Sequence, residues 1–574
     1  MEYIILIFFS ISIYLASEKI NTLIFKQSND IIINIFIFTN FFVFIYLIFS
    51  YFFIFGENSK LVSYLIFFLL LFLTFILRKE ILDLLKKLDF SYFKQEKILF
   101  SALFLYFFLI LFPLFDEDSL RYHLAIASKI NNGTFYQNTW IDYLIIGAHE
   151  FINSFSLHLK FEEISNYTNF TYLIFILLSN IYITKKYKVG SGLLSLYVLL
   201  ASPYITSLLT SQKLFLLPCY IVTYSIAYLY LEKKNNLKIF ILIFILNTFA
   251  FTIKATFLPY VIVIGVWSIY KLKEYKDKII YICVGSLILF IFYLPIFYIK
   301  LKVYNDPFLI FFSINPDNYE WFHNYRNFMS NIRMDTTDSI ENTLLKNLLI
   351  PVKLLVPLKF SDLSRTLGLG FLFIITINFR QNKNIIYCIL VFIGSVIIIQ
   401  SFQSRWFLPL LIFISIFANM EKIKIILNIF RLKAVILILV LLPLSLLSFL
   451  SSISVLNKNT VYNKIFNSHH GIVNKMNTDY KGKNIFTNIN YFYGFDNYIP
   501  IYYPKIVNSF DKNFYKRNEK DQNFFLWVNY GFDEFVMESL KCKKYEKIQE
   551  YYFNSRRLYS IKPDKKAILY KSNC

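Results

Sequence analysis

Long apolar runs separated by short, lysine-rich connections set the pattern of this chain. Uncharged runs cover 31–55, 61–77, 98–115, 279–299 and 434–456. Further apolar stretches lie near 3–17, 166–184, 190–209, 213–231, 239–253, 256–270, 366–379, 384–400 and 405–419. A helix that crosses the hydrocarbon core of a bilayer needs about 20 predominantly apolar residues. The pattern therefore predicts a polytopic α-helical membrane protein with about 14 transmembrane helices. The start of the chain does not read as a signal peptide, because it carries Glu2 and no basic segment.

The polar connections give the spans a direction. Arg78, Lys79, Lys86, Lys87, Lys94 and Lys97 share one connection; Lys185, Lys186 and Lys188 share another. Lys233, Lys234 and Lys238, then Lys271, Lys273, Lys276 and Lys278, then Arg380 with Lys383, and finally Lys422 to Lys433 continue the series. Basic loops stay in the cytoplasm. The spans then alternate if 116–165, 300–345 and the tail from about 457 face outward.

Residues 457–574 form a different kind of segment, polar and without a spanning run. Short apolar stretches at Ile485–Tyr493, Phe524–Val528 and Ala567–Tyr570 predict strands. Helices are expected near 460–475 and 532–541. The reading is a small C-terminal extramembrane α/β domain. The chain thus divides into 1–97, additional N-terminal helices and a basic loop; 98–456, a transmembrane core with two large outer loops; and 457–574, the outer domain.

Composition agrees. Of 574 residues, 57% are hydrophobic and 20% aromatic, with a mean hydropathy of +0.51. Soluble globular chains are about 45–50% apolar. Phe, Tyr, Ile, Asn and Lys share AT-rich codons, so single aromatic residues are not read as functional signals. The formal charge of +22 resides in the connections, which is positive-inside patterning rather than a nucleic-acid surface. Cys219, Cys283, Cys388, Cys542 and Cys574 show no paired spacing, so neither a disulfide framework nor a zinc site is indicated.

The sharpest change of character lies where the run ending in Phe115 meets Asp116-Glu117-Asp118. Acids at a membrane boundary are costly and commonly functional. Crowded, dehydrated carboxyls hold protons more readily, which suits a general base. Acids also favour helix starts through capping and the helix dipole, so a solvated helix N-terminus remains an alternative. From Asp118 the sequence predicts a helix over 119–130 that stops at Asn131-Asn132-Gly133. Asp118, Arg121, Tyr122 and Ala125 would share one face, offering a carboxylate, a cation for phosphate and an aromatic platform.

This segment, acid-x-Asp-Ser-Leu-x-Tyr-His-Leu-x-x-Ala directly after a span and followed by Asn-Gly, resembles the first outer loop of GT-C glycosyltransferases. That superfamily uses polyprenyl-phosphate sugars and includes the protein mannosyltransferase and aminoarabinose transferase relatives. The usual pattern is Asp-Glu-x-x-Tyr. Anchored on Tyr122, Asp118 matches the Asp and Ser119 replaces the Glu; a bacterial branch has two acids one residue apart, matched by Asp116 and Asp118. Fainter similarities follow. Ile253-Lys254-Ala255 is similar to a Thr-Lys element, Asn305-Asp306-Pro307-Phe308 to an Asn-Pro-aromatic turn, and Ser404-Arg405-Trp406-Phe407-Leu408-Pro409 to an Arg-aromatic start of a late span. Lys254 and Arg405 equally suit snorkelling or interfacial anchoring, and Asp306 suits a turn before Pro307.

The resemblance implies an inverting glycosyltransferase of the cell envelope, acting in glycan biosynthesis at the outer, periplasmic face of a bacterial inner membrane. Asp118, or Asp116, would take the acceptor proton. Arg121, Lys254 and Arg405 would hold the donor phosphate, and Tyr122 and His123 would position the donor. No cofactor is required, although Asp116, Glu117 and Asp118 together could hold Mg or Mn. The partners implied are a polyprenyl-phosphate sugar, membrane lipid and an acceptor glycan, lipid or protein; nucleic acid is not among them.

Two alternatives stay within view. A polysaccharide polymerase or O-antigen ligase relies on Arg and His in its outer loop rather than on acids after a span. A lipid-linked glycan flippase or transporter would show charges inside spans and matched broken helices, which 14 Gly and 14 Pro with no repeat do not suggest. His149-Glu150 does not complete a metalloprotease HExxH pattern, since Asn153 stands where the second histidine belongs.

Overall fold

A computed structural model describes residues 2–26, 30–56, 59–86, 96–111, 123–133, 135, 146–200, 202–232, 235–308, 366–379, 384–399, 404–419, 424–452, 470–481, 485–487, 498–500, 524–528, 545–553 and 565–572. The helices, in order, are α1 (Glu2–Ile20), α2 (Ile31–Ile54), α3 (Ser59–Ile76), α4 (Arg78–Lys86), α5 (Lys97–Leu109), α6 (Leu124–Asn131), α7 (Ala148–His158), α8 (Ile164–Tyr187) and α9 (Leu196–Leu200). They continue with α10 (Pro203–Leu209), α11 (Leu216–Leu231), α12 (Leu237–Ile253), α13 (Leu258–Lys271), α14 (Tyr275–Tyr304), α15 (Ile385–Ile399), α16 (Leu408–Phe417), α17 (Lys424–Ser452) and α18 (His470–Asp479). Each apolar run expected from the sequence carries helix.

Local chemistry explains the ends. Asp30 caps α2 by accepting from the Ile32 and Ile33 amides at 3.1 and 3.2 Å, which satisfies donors that no helical carbonyl reaches. α6 stops where the sequence predicts, with Asn132 as cap and Gly133 at φ +67°, a left-handed conformation that glycine adopts without penalty. Two runs differ from expectation. The stretch 190–209 is not one helix: a 3₁₀ turn at Gly192–Ser195 leads into α9, and α10 leaves at 82°. Pro203 begins α10, where its missing N–H costs nothing, but it cannot continue α9. The run 366–379 is a 3₁₀ helix over Leu369–Thr376.

Among the described residues, four helical segments are long and apolar enough to cross a membrane: Ile4–Phe25, Ile31–Ile54, Ser59–Ile76 and Tyr275–Tyr304. The bent pair Gly192–Leu200 and Pro203–Leu209 makes a fifth when counted as one span. Shorter apolar helices include Leu216–Leu231 and Leu237–Ile253. The outer surface matches a lipid environment. Leu61, Leu65, Phe68, Phe72 and Phe75 on α3 are all exposed at helical spacing, a patch that soluble monomers avoid. The protein is a membrane-associated helical protein.

The core centres on α11, buried from Leu216 to Leu229 and packed among α8, α12 and α16. Tyr220 stacks on Tyr224 with centroids 4.3 Å apart. Their hydroxyls are satisfied by Ser179 at 2.7 Å and Asn180 at 2.7 Å, as buried polar groups in an apolar interior require.

Polar contacts tie the helix ends together. Lys19 pairs with Glu80, Lys186 with both Asp30 and Glu232, and Arg431 with Glu96. Ser59 Oγ lies 2.9 Å from His158 Nε2, and the Tyr204 amide donates to the Thr366 carbonyl at 3.2 Å.

The tail holds a sheet ordered β2-β1-β3-β5-β4, with β1 (Ile485–Thr487), β2 (Tyr498–Pro500), β3 (Phe524–Val528), β4 (Tyr545–Phe553) and β5 (Lys565–Ser572). β1 is parallel to β2 and β3, whereas β5 runs antiparallel to β3 and β4. β3 occupies the predicted bounds and β5 extends the predicted Ala567–Tyr570. β4 was not expected, because Glu546, Lys547 and Glu550 interrupt its apolar residues. With α18, the tail has mixed α/β content. The helix expected over 532–541 lies outside the described residues.

Candidate functional site

The acidic motif itself, with Asp116, Glu117, Asp118, Arg121 and Tyr122, lies outside the described residues. His123, Lys254 and Arg405 lie within them, and they come together with groups that the linear pattern did not single out. The site is built where α6 and α7 meet the C-terminal end of α12 and the start of α16.

Gly147 precedes α7 and makes the junction possible. A Cβ on Gly147 would lie 2.2 Å from the Thr252 carbonyl oxygen of α12, well inside contact distance. The Gly147 amide donates to Glu150 Oε2 at 2.8 Å, the arrangement in which a third-position acid caps a helix start. Glu150 is thereby aimed at His123, whose Nδ1 lies 2.8 Å from Glu150 Oε1. His149 packs against the same imidazole, with ring centroids 3.9 Å apart, and its Nδ1 is 3.9 Å from Glu150 Oε1.

A hydrogen-bonded frame fixes this trio. Asn153 Nδ2 donates to the His123 carbonyl at 3.3 Å, and Ser165 Oγ donates to Asn153 Oδ1 at 2.9 Å. Ser165 Oγ lies 3.1 Å from His149 Nε2, and the Ser165 amide donates to Gln212 Oε1 at 3.2 Å. His123, His149, Glu150, Asn153, Ser165 and Gln212 are all buried. Burial pushes the Glu150 carboxyl up to about 8, opposed by the Gly147 amide and the charge of Lys254. Burial also holds both imidazoles well below their usual value. For His123, His149 and the positive charges of Lys254, Lys213 and Arg405 add to the effect. For His149, Lys254 adds and a Gln212 backbone hydrogen bond opposes. Isolated charges are disfavoured here because the surroundings solvate them poorly.

The cations sit on an aromatic floor. Lys254 caps α12, and its Nζ lies 5.0 Å from the Phe215 ring centroid and 5.9 Å from that of Trp406. The Arg405 guanidinium lies 4.8 Å from the Trp406 centroid. Phe215 and Trp406 meet edge to face at 5.6 Å. Ring faces attract cations within about 6 Å, so the floor holds two positive groups together without neutralising them. Such an arrangement suits an anion with several oxygens.

An apolar cavity lies in contact with another face of α7. It is a narrow cleft of about 40 Å³, lined by Phe9, Phe38, Phe42, Ile152, Phe155 and Tyr167, among others. The same helix therefore presents Glu150 to the polar cluster and Ile152 and Phe155 to an apolar cleft.

A family model described as the DUF1420 N-terminal domain matches residues 3–466. The chain belongs to the DUF1420 family. No curated protein and no solved structure matches it. The DUF1420 match covers the apolar helices and every residue of the polar cluster, and it ends before α18 and the strands of the tail.

His149, Glu150, Lys213 and Gln212 were not predicted. His149-Glu150 was set aside for want of a second histidine four residues on, yet the fold supplies His123 from a different helix. The available signal was a His-Glu pair in an otherwise apolar loop segment. Nothing in the sequence marks Lys213 or Gln212, which lie between α10 and α11.

Proposed function

We propose that this DUF1420 protein is a GT-C-type glycosyltransferase of the cell envelope. It moves a sugar from a polyprenyl-phosphate donor to an acceptor at the outer face of a bacterial inner membrane. The observation that carries the reading is the convergence of His123, Lys254 and Arg405, three positions singled out for donor binding from separate parts of the sequence. The apolar cleft beside α7 supports the reading further, because it places hydrocarbon-compatible side chains on the helix that carries Glu150.

In this reading the donor phosphate settles over the Phe215–Trp406 floor between Lys254 and Arg405. The acceptor hydroxyl gives its proton to Asp118, or Asp116, as its oxygen attacks C1 of the sugar. The C1–oxygen bond to phosphate breaks on the opposite side, so the anomeric configuration inverts. The electron pair leaves on a phosphate oxygen that the two cations stabilise. General-base assistance of this kind contributes about 10²–10⁴-fold.

The test is transfer from radiolabelled polyprenyl-phosphate sugars by membranes carrying the protein. Asp118→Asn should abolish transfer while the protein still accumulates. Normal turnover by both Asp118→Asn and Asp116→Asn would overturn the assignment. A second reading has one observation in its favour. The described part of the site is rich in His, Lys and Arg, as expected of an oligosaccharide ligase or polymerase. Transfer from diphosphate-linked donors, with monophosphate-linked donors inert, would select it.

A further inference from the structure

We propose that His123, His149 and Glu150 form a binding site for a divalent first-row transition metal, zinc by the character of the ligands. The donor atoms proposed are His123 Nδ1, His149 Nδ1 and Glu150 Oε1. Glu150 Oε1 is 2.8 Å from the first and 3.9 Å from the second, and one ligand atom from each of the three residues lies within 4.8 Å of the others. Zinc holds nitrogen and oxygen ligands at about 2.0–2.2 Å, so ligand atoms around one ion stand roughly 3–3.5 Å apart. Movements of less than about 1 Å close the set.

Asn153 Nδ2 donates to the His123 carbonyl, and Ser165 Oγ donates to Asn153 Oδ1. His149 Nε2 accepts from the Leu214 amide at 3.3 Å and lies 3.1 Å from Ser165 Oγ. His149 Nδ1 is buried and has no hydrogen-bond partner among the described residues. A neutral imidazole carries one proton, so a metal on Nδ1 moves that proton to Nε2, where Ser165 Oγ accepts it and the Leu214 contact is given up. An ion shared with Glu150 gives this buried nitrogen a partner. The Ser165–Asn153 chain and the Gly147 amide hold the ligands from behind, as the supports of metal-binding His and Glu do.

Two imidazoles and one carboxylate leave coordination positions open. Binding sends the proton shared by His123 and Glu150 to solvent, because both ligand atoms must be deprotonated. The positive charges of Lys254, Lys213 and Arg405 act on His123 and oppose a dication that arrives alone. An anionic co-ligand offsets them, so phosphate groups should tighten the metal; this last clause rests on the donor-phosphate reading above.

The experiment uses the purified full chain in detergent. After equilibration with Zn²⁺ and removal of excess, elemental analysis should find about one zinc per chain. Co²⁺ should give absorption bands of a low-symmetry site, and Mg²⁺ should not displace either ion. His149→Ala and Glu150→Gln should each weaken binding at least about tenfold. Absence of stoichiometric zinc, or zinc uptake untouched by both substitutions, would overturn the proposal. The Co²⁺ spectrum is read on the unaltered protein, so it decides even where a variant fails to fold. Inorganic pyrophosphate should lower the zinc dissociation constant. If it does not, the phosphate co-ligand is refuted while the metal site stands. Zinc absent with sugar transfer intact would refute the metal and leave the transferase reading untouched.

Discussion

Gly147→Ala is the most direct probe of how the site is held. The added methyl would stand 2.2 Å from the Thr252 carbonyl oxygen, 3.4 Å from its carbon and 3.6 Å from the Ile253 carbonyl oxygen. Ordinary contact begins near 3.4 Å, so α7 and the end of α12 must separate by roughly 1 Å, and both partners are backbone. Overpacking of this kind costs about 1–3 kcal/mol. The functional loss should be larger than the stability loss. The displaced segment carries the amide that aims Glu150, and Lys254 follows Thr252 by two residues. A misplacement of about 1 Å at a reacting centre costs on the order of 10²-fold. The assay pairs thermal unfolding in detergent with transfer from a polyprenyl-phosphate sugar. Gly394→Ala is the control: nothing lies within 4 Å of the Cβ it would add to α15, so stability should stay within about 1 kcal/mol. Wild-type stability and activity in Gly147→Ala would refute the close-approach argument.

Other outcomes follow from the same geometry. Glu150 holds its proton to about 8 in the folded protein, so between the ordinary carboxylate range and pH 8 the folded state binds more protons than the unfolded state and stability falls as pH rises. The depressed imidazoles of His123 and His149 oppose this only below about pH 6.5. Melting curves from pH 6.5 to 8 should therefore show a decline of up to about 1.4 kcal/mol per pH unit, flattened in Glu150→Gln. Lys254→Ala should raise the donor KM, or lower kcat/KM, by about 10–150-fold, the loss of one charge-assisted contact to phosphate. Lys254→Arg should recover part of that, and equal kinetics for all three proteins would remove Lys254 from the donor site. Asp30→Ala removes both the α2 cap and a partner of Lys186 and should cost about 1–2 kcal/mol in thermal unfolding.

The fold was legible where one physical signal dominated. Uncharged runs such as 31–55 and 279–299 leave a chain in lipid little choice but helix, and Asn131-Asn132-Gly133 carries its own stop. Legibility failed where tertiary context decides. The run 190–209 is apolar throughout, yet Pro203 splits it. β4 alternates charge with aromatic residues and becomes a strand because β5 is there to pair with it. The site was half legible for a related reason. His123, Lys254 and Arg405 each stand at a helix boundary with a recognisable neighbourhood. The role of His149 and Glu150 depends on a histidine from another helix, and spacing along the chain cannot express that.

The way the polar cluster is assembled bears on how the protein is made. His123 and Glu150 enter the membrane early in synthesis, Lys213 and Lys254 later, and Arg405 with Trp406 only as α16 arrives. A nascent chain that has inserted its first nine apolar runs holds the imidazoles and Lys254 but lacks half of the aromatic floor and the second cation. The pairing of Lys254 and Arg405 on one aromatic floor therefore arises late, as a property of the finished bundle. Two separately expressed pieces divided between α14 and α15 should each insert yet be inert apart, and competence should return when they are produced together.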